Sequence, residues 1–134
     1  MPVYVPFYTV GDWNIYGTPG AGSFRYFIKE TRQPVGFNYS ALAATGFGGV
    51  LLIGDIHGRP VAYDLACPVE CRSDVRVRVM SENLVAECPR CHSTYDIVTN
   101  YGYPLSGPAA KNSYGLQRYF VSDGRNGEYR VIVR

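Results

Sequence analysis

Four cysteines, arranged in two close pairs, are the residues of this sequence best suited to do chemistry. The first pair lies in CPVEC, at Cys67 and Cys71, and the second in CPRC, at Cys88 and Cys91. A tight turn with two cysteines brings two thiolates to one metal ion at about 2.3 Å, and a second such turn completes a tetrahedron. The spacing therefore predicts a metal site formed by Cys67, Cys71, Cys88 and Cys91.

Two other chemical states are open to cysteines at this spacing, namely two disulfides or four buried free thiols. A reducing compartment favours the metal, whereas export to an oxidising compartment favours disulfides. The sequence opens MPVYVPFY, without the basic and apolar regions of a signal peptide. Because this opening also fits a protein whose export signal or lipid anchor has been removed, the compartment stays open.

Charge and hydropathy narrow the class of protein. The chain has 134 residues and a formal net charge of +2, with its arginines dispersed along the sequence. A small, dispersed charge does not predict a nucleic-acid interface. The longest apolar stretch, residues 41–54, is too short to span a bilayer. We therefore expect a single domain over residues 1–134 that is soluble as given and has no transmembrane segment.

Short strands separated by turn residues must position the cysteine pairs. Residues 3–10 alternate and carry β-branched and aromatic side chains, which predicts a strand that Pro6 confines to a sheet edge. Residues 11–36 have no clear period, except that residues 24–29 fit a short strand or a helical turn. No segment predicts a helix of three turns.

Three hairpins are predicted in the rest of the chain. The first joins GGVLLIGD to PVAYDLAC through the turn at residues 55–59, where His57 is expected to be an exposed turn residue rather than a ligand. The second joins VRVRVM to LVAEC, with Val75, Val77 and Val79 on one side, and the third joins LQRYFVS to EYRVIVR. STYDIVT is expected to be a strand, and NYGYPLSGPAAKNSYG a loop. Regular turns between short strands predict an all-β antiparallel sandwich or barrel.

These segments resemble, in the same order, those of Rieske iron–sulfur proteins. The resemblance runs from GGVLLIGD to the end of the chain. AYDLACP is similar to the first cluster-binding loop, CPRCHSTYD to the second, and PLSGPA to the proline loop that covers the cluster. LQRYFV and YRVIVR are similar to the closing strands. The resemblance implies a Rieske-like fold with a small two-loop metal-binding subdomain, which we expect over residues 62–110.

The ligand set differs from that of the family. Rieske proteins bind a [2Fe–2S] cluster through two cysteines and two histidines, in the patterns CxH and CxxH. The matching positions here hold Cys67 with Val69 and Cys88 with Cys91, so both histidines are replaced. Cys91 can itself bind metal, and Cys71 lies close enough to Val69 in sequence to supply the fourth ligand. The resemblance therefore implies four thiolates at the former cluster site.

The same resemblance implies supporting roles for residues near the cysteines. His92 is expected to hydrogen-bond near the thiolates rather than to bind the metal, because adjacent residues rarely chelate one ion. Ser93 and Tyr95 match family positions whose hydroxyls hydrogen-bond near the cluster. The residues expected to shield the site in the proline loop are Pro104, Gly107 and Pro108.

Four thiolates suit Zn²⁺, mononuclear iron or an iron–sulfur cluster. Two cysteines on each of two adjacent loops is the usual structural-zinc arrangement, so the prediction favours a non-catalytic, zinc-binding Rieske-like protein. One alternative is an electron carrier with iron or [2Fe–2S], which needs a redox partner. The other is an exported, metal-free domain that has disulfides at the former cluster site and binds a protein partner through its many tyrosines.

The sequence does not predict an enzyme. It has no P-loop, no HExxH motif and no arrangement of serine, histidine and aspartate suited to nucleophilic catalysis. GFGGV leads into a strand pattern rather than a helix, so it does not predict a nucleotide site.

Overall fold

The computed structural model describes residues 1–18, 20–125 and 127–134, in which eleven strands and two short helices follow one another. Strands account for 36 % of the residues and helices for 9 %, so the all-β prediction is confirmed. In chain order the elements are β1 (Val3–Phe7), α1 (Val10–Tyr16), β2 (Phe24–Phe27), β3 (Ala44–Thr45), β4 (Val50–Gly54), β5 (Pro60–Asp64), β6 (Arg78–Met80), β7 (Val85–Glu87), β8 (Thr94–Asp96), β9 (Tyr103–Ser106), α2 (Pro108–Asn112), β10 (Arg118–Asp123) and β11 (Arg130–Val133).

Two antiparallel sheets make up the fold. Seven strands form a nearly closed barrel in the order β2-β4-β5-β10-β11-β1-β3. Four strands form a small sheet in the order β6-β7-β8-β9, which lies within the predicted subdomain of residues 62–110. The small sheet is inserted between β5 and β10, so the chain leaves the barrel at the first cysteine pair and returns after α2.

The hairpin of β4 and β5 is the best predicted unit of the barrel. All five residues of β4 are buried, as expected of a strand covered on both faces. Asp55 closes the turn, since its Oδ1 accepts hydrogen bonds from the backbone N–H groups of His57 and Arg59, both at 2.9 Å. This hairpin supplies Asp64 and the start of the first cysteine turn.

The N-terminal segment differs from its prediction in two ways. β1 ends at Phe7 rather than at residue 10, because Thr9 caps α1 by accepting a hydrogen bond from Asp12 N–H at 2.9 Å. β1 also pairs with both β11 and β3, so it is not the edge strand that Pro6 suggested. β3 reaches only Val3 and Tyr4, however, so Pro6 has a single described strand neighbour, which accommodates its missing N–H group.

The segment predicted as a loop after STYDIVT contains both β9 and α2. β9 pairs with β8 and closes the small sheet, with Tyr95 opposite Pro104. α2 begins at Pro108, whose ring suits the first helical position because no N–H donor is needed there. Both elements are only four or five residues long, which explains why no periodic signal marks them.

The valines of VRVRVM alternate as predicted, with Val75, Val77 and Val79 all buried. Only the last part of the segment joins the ladder with β7, as β6. The earlier part pairs elsewhere: Val77 N–H donates to Leu65 O at 2.8 Å, and Cys67 N–H to Val75 O at 3.0 Å. This pairing ties the first cysteine turn to the small sheet.

The buried apolar residues form two clusters. One fills the barrel around Phe7, which contacts Trp13 and Phe27 edge to face at centroid distances of 5.0 and 5.7 Å. The other lies between the barrel and the small sheet and includes Cys67 and Cys88. The first cysteine of each pair is therefore part of a packed core. No helix in the described ranges has the length and hydropathy needed to cross a membrane.

Candidate metal centre

Three thiols converge where the barrel meets the small sheet. The sulfur atoms of Cys67, Cys88 and Cys91 all lie within 4.8 Å of one another. Cys67 Sγ and Cys91 Sγ are 3.7 Å apart. Cys67 and Cys88 are fully buried and Cys91 is half-buried. The two cysteine turns, far apart in sequence, thus present their sulfurs to one point.

The first turn, residues 67–71, starts just beyond β5. Cys71 N–H donates to Cys67 O at 3.1 Å, which closes the turn. Cys71 has a φ of 54°, in the left-handed region, and its side chain is exposed. Its thiol donates to Pro68 O at 3.1 Å and does not join the group of three. The structure therefore brings together three of the four predicted ligands and leaves the fourth at the rim.

The second turn, residues 88–91, connects β7 to β8. Cys88 N–H donates to Ser93 O and His92 N–H to Cys88 O, both at 3.0 Å. These two bonds fold the backbone back on itself, with His92 at a φ of 60°. The turn is consequently anchored at both ends by strands of the small sheet.

Two buried hydroxyl groups contact the sulfurs. Tyr95 Oη lies 3.2 Å from Cys67 Sγ, and Ser93 Oγ lies 3.2 Å from Cys91 Sγ. Ser93 Oγ also accepts a hydrogen bond from Ala109 N–H at 3.0 Å, which leaves its own hydrogen free for a thiolate. Both residues are completely buried, so these contacts are shielded from water.

The surroundings shift the pKa values of two of the thiols, Cys88 and Cys91, in opposite directions. Burial raises the pKa of the Cys88 thiol to about 11. Burial also acts to raise the pKa of Cys91, but hydrogen bonds with the Ser93 hydroxyl and backbone, together with those to Cys88 and Cys67, outweigh it and lower that pKa. Burial, followed by the contact with Cys67, raises the pKa of the Tyr95 phenol, which keeps it a neutral hydrogen-bond donor.

The two histidines lie outside the thiol group. His92 projects into solvent, with Nδ1 3.4 Å from Glu87 Oε2. His57 is exposed in the β4–β5 turn, where the sequence placed it. Val69, at the position where the Rieske pattern has a histidine, packs against the cluster of apolar residues beneath the cysteines.

The proline loop, residues 104–109, lies against the second cysteine turn. Gly107 has a φ of 81°, and a Cβ atom on it would lie 2.8 Å from Ser93 Cα. Only glycine permits this approach. Pro104 is buried in β9, whereas Pro108 is exposed at the start of α2. Gly107 and the N–H group of Ala109 therefore both bring this loop against Ser93.

Asp64 is a structural residue that the sequence analysis missed. Its buried carboxylate accepts hydrogen bonds from the N–H groups of Phe47, Gly48 and Ala66 at 2.9, 3.0 and 2.8 Å, and from Tyr119 Oη at 2.5 Å. It thereby fixes the backbone directly before Cys67. A carboxylate at the end of the apolar strand β5, just before the CPVEC motif, is the one signal that points to it.

The sulfur positions fit a single thiolate-bound ion. Four sulfurs at about 2.3 Å from a zinc ion form a tetrahedron with edges of about 3.8 Å. The separation of 3.7 Å between Cys67 Sγ and Cys91 Sγ matches such an edge. All four cysteines are free in this structure. The group can therefore bind a soft or borderline metal ion.

Comparison of the chain with protein-family models, with curated proteins and with solved structures found no match.

Proposed function

We propose that the chain is a non-catalytic, Rieske-like protein whose cysteines bind one zinc ion that holds two loops together. The observation that carries the proposal is the convergence of the Cys67, Cys88 and Cys91 sulfurs within 4.8 Å of one another. Structural zinc sites are almost always tetrahedral and are often formed by thiolates, and the filled d shell of zinc imposes no other geometry. The site thus suits zinc by its ligand type and its size.

The short sulfur separations favour one ion over a two-iron cluster. Cysteines bound to different irons of a [2Fe–2S] cluster are separated by both irons and the bridging sulfides. Three sulfurs within 4.8 Å of one another leave no room for that arrangement. Since the histidines that raise a Rieske potential are also replaced, an ordinary Rieske centre is not expected.

We assign Cys71 as the fourth ligand. It belongs to the same turn as Cys67, and its thiol is held only by a hydrogen bond to Pro68 O. Rotation of the Cys71 side chain away from that carbonyl would exchange one weak contact for a metal–sulfur bond. Metal binding is therefore coupled to the orientation of the Cys71 side chain.

The relationship to Rieske proteins is part of the proposal. It is supported by the order of the motifs, by two cysteine turns at the junction of a barrel and a small sheet, and by the contact of Gly107 with Ser93. In this view the cluster of an ancestral electron carrier is replaced by a single ion that cross-links the sheets.

An iron-bound electron carrier is the second candidate. The contacts of Tyr95 and Ser93 with cysteine sulfurs favour it, because hydrogen bonds to sulfur ligands set the potential of iron–thiolate centres. The same four cysteines would hold a mononuclear iron. A redox partner would then dock close to the half-buried Cys91.

The first test is elemental analysis of protein purified without a metal-affinity tag, together with its visible spectrum and a count of free thiols. We expect one equivalent of zinc and a colourless protein. Iron with visible charge-transfer bands would replace the zinc proposal with the electron carrier. Protein without metal and without free thiols would point instead to the exported interaction domain.

Single substitutions of cysteine by serine identify the ligands. Cys67→Ser, Cys88→Ser and Cys91→Ser should each lose most of the bound zinc, because serine is a poor zinc ligand at neutral pH. Cys71→Ser should retain zinc with lower affinity, because it leaves the converging thiols of Cys67, Cys88 and Cys91 together and water can reach the exposed fourth position. Full retention of zinc affinity in Cys71→Ser would remove Cys71 from the ligand set.

A further inference from the structure

Two of the converging thiols lie close enough to form a disulfide between the two cysteine turns. Cys67 belongs to the first turn and Cys91 to the second, yet their sulfurs are only 3.7 Å apart. The sulfur–sulfur bond of a disulfide is about 2.05 Å long, so these two atoms need to approach each other by about 1.7 Å. Such a bond would join the same two turns that the proposed zinc ion joins.

The exposure of the three thiols differs, and this difference decides which of them reacts first. Cys67 and Cys88 have no exposed surface, whereas Cys91 is half-buried. A small oxidant in solution therefore reaches Cys91 before it reaches the other two. The first disulfide to form consequently includes Cys91.

Cys67 is the partner that the geometry favours for Cys91. At 3.7 Å the two sulfurs are in van der Waals contact, so an oxidised Cys91 is formed directly against the sulfur that attacks it. Cys88 lies in the same group, within 4.8 Å of both. A bond between Cys88 and Cys91 is thus the competing product, but it would leave the first turn unconnected to the second.

The group has three sulfurs, so it can form one disulfide and not two. The thiol of Cys71 lies outside the group and donates to Pro68 O at 3.1 Å. Once Cys67 and Cys91 are joined, Cys88 has no second sulfur in the group to pair with. Cys71 and Cys88 therefore remain free thiols after the oxidation.

We propose that Cys67 and Cys91 form a reversible disulfide when a hydroperoxide oxidises the protein, and that this bond replaces the zinc ion as the link between the two cysteine turns. The zinc-bound starting state rests on the proposed function. The choice of the two sulfurs rests only on their separation and exposure in this structure.

The oxidation takes place in two balanced steps. The Cys91 thiolate attacks one oxygen of hydrogen peroxide, the O–O bond breaks, and the products are a sulfenic acid on Cys91 and hydroxide. The Cys67 thiolate then attacks the Cys91 sulfur, the S–O bond breaks, and a second hydroxide leaves as the disulfide forms. The two sulfurs lose two electrons in total and the peroxide gains them. Loss of these two ligands releases the zinc ion, whose charge does not change.

The first experiment measures thiols and zinc together. Zinc-loaded protein is treated with a small excess of hydrogen peroxide, catalase removes the excess, and the remaining thiols are counted in denaturant. We expect the count to fall from the four cysteines of the chain to two, with release of one equivalent of zinc. Zinc is also measured before the oxidant is added. Its absence at that point would contradict the proposed function, while the disulfide is still scored in the same sample.

The sequence allows the disulfide to be located directly. Glu70 lies between the cysteines of the first turn, and Arg90 between those of the second. Digestion with trypsin and a glutamate-specific protease, without reduction, therefore places each cysteine in a separate peptide. We expect the peptide that ends at Glu70 to be linked to the one that begins at Cys91. A link between the Cys88 and Cys91 peptides, or sulfinic acid on Cys91 without any link, would overturn the proposal.

Two variants separate the reacting partner from a bystander. Both are compared with the wild type after chelation, so that differences in zinc content do not affect the comparison. Cys71→Ser should form the same linked peptides to the same extent as the wild type. Cys67→Ser should stop at the sulfenic acid of Cys91, which dimedone traps. Unchanged cross-linking of the remaining cysteines in Cys67→Ser would show that Cys67 is not the partner.

Reversal and stability test whether the bond takes over the role of the ion. Dithiothreitol together with zinc should restore four thiols and one equivalent of bound zinc. The oxidised protein should unfold at least about 5 °C above the reduced, metal-free protein, because the bond constrains the unfolded chain. Equal unfolding temperatures of these two forms would contradict the replacement of the zinc link by the disulfide.

Discussion

At the scale of single residues, the candidate metal centre depends on hydroxyl groups as well as on sulfur. Tyr95 and Ser93 are completely buried, and each contacts one cysteine. A metal-bound thiolate has no hydrogen, so in that state each hydroxyl must be the donor. These hydrogen bonds orient the ligands and offset the cost of burying their negative charge.

Removal of the Tyr95 hydroxyl tests whether this group supports zinc binding in addition to the stability of the fold. Tyr95→Phe loses the contact with Cys67, and we expect about 1 kcal/mol less stability together with about tenfold weaker zinc binding. Tyr63→Phe is the matched control, because Tyr63 is equally buried but donates to Ile97 O at 2.9 Å. Chemical denaturation and zinc competition measure the two quantities. An equal loss of zinc affinity in both variants would contradict the specific role of Tyr95.

Asp64 also affects the candidate metal centre, because its hydrogen bonds fix the backbone directly before Cys67. Both oxygens of the Asp64 carboxylate accept hydrogen bonds. In Asp64→Asn one of these oxygens becomes an NH₂ group, which cannot accept them and faces N–H or O–H donors instead. We expect a loss of about 3 kcal/mol from the free energy of unfolding. In Asp55→Asn the remaining oxygen can keep both contacts of Asp55 Oδ1, so that buried control should lose less than about 1 kcal/mol. Urea denaturation of both variants compares them, and equal losses would contradict this account.

At the scale of elements, short segments rather than long ones complete the site. β9 and α2 bring Gly107 against Ser93, and residues 75–77 pair with the backbone before Cys67. Each contact joins a cysteine turn to another part of the chain. The turns are held by backbone hydrogen bonds even before a metal is considered.

Gly107→Ala tests the contact between the proline loop and the second cysteine turn. Gly107 has a φ of 81° and a ψ of −167°, a conformation almost restricted to glycine, and its added Cβ would lie 2.8 Å from Ser93 Cα. We expect a loss of at least about 3 kcal/mol, because steric overlap adds to backbone strain. Gly58→Ala, at a φ of 78° with its nearest atom 3.8 Å away, should lose only about 1 kcal/mol. Thermal and urea denaturation report both values, and similar losses would show that the loop yields easily.

The elements that have a clear side-chain period were predicted from the sequence. Those marked only by a cap or by turn residues were missed. The β4–β5 hairpin and the alternation of Val75, Val77 and Val79 followed from side-chain patterns. α1 was missed, although Thr9 and Asp12 provide a capping signal, because a seven-residue helix has little period. β9 was hidden by its proline, Pro104, and by the glycines on either side of it, Gly102 and Gly107.

The same limits apply to the candidate site. Cysteine spacing predicted one site for all four cysteines, and the structure brings together three of them, Cys67, Cys88 and Cys91. Spacing did not predict that the thiol of Cys71 bonds to Pro68 O, because side-chain rotation is not encoded in residue intervals. The environment of Asp64 also depends on residues distant in sequence, such as Tyr119.

At the scale of the whole molecule, the two apolar clusters divide the protein into parts that respond differently to metal. The cluster around Phe7 holds the barrel, whereas the cluster containing Cys67 and Cys88 joins the barrel to the small sheet. A bound ion would stabilise the second part directly. The barrel around Phe7 keeps its own packing in either state.

Removal of the metal should therefore loosen one part of the molecule. We expect amide hydrogen exchange at Cys67, Val77 and Cys88 to accelerate at least tenfold after chelation, because these amides bond within the cysteine turns or beside them. Exchange along the pairing of β1 with β11 should stay nearly unchanged. Mass spectrometry or NMR measures both. Uniform acceleration throughout the chain would show instead that metal loss unfolds the molecule as one unit.

The pairing of β1 with β11 has a consequence for how the chain reaches its native state. Residues 4–7 lie opposite residues 130–133, so the contacts that close the barrel span nearly the whole sequence. During synthesis, β1 can pair with β11 only after β11 has been made. Native contacts of such long range slow folding. The hairpin of β4 and β5, whose contacts are local, is suited to form first and to serve as the template on which the later strands assemble.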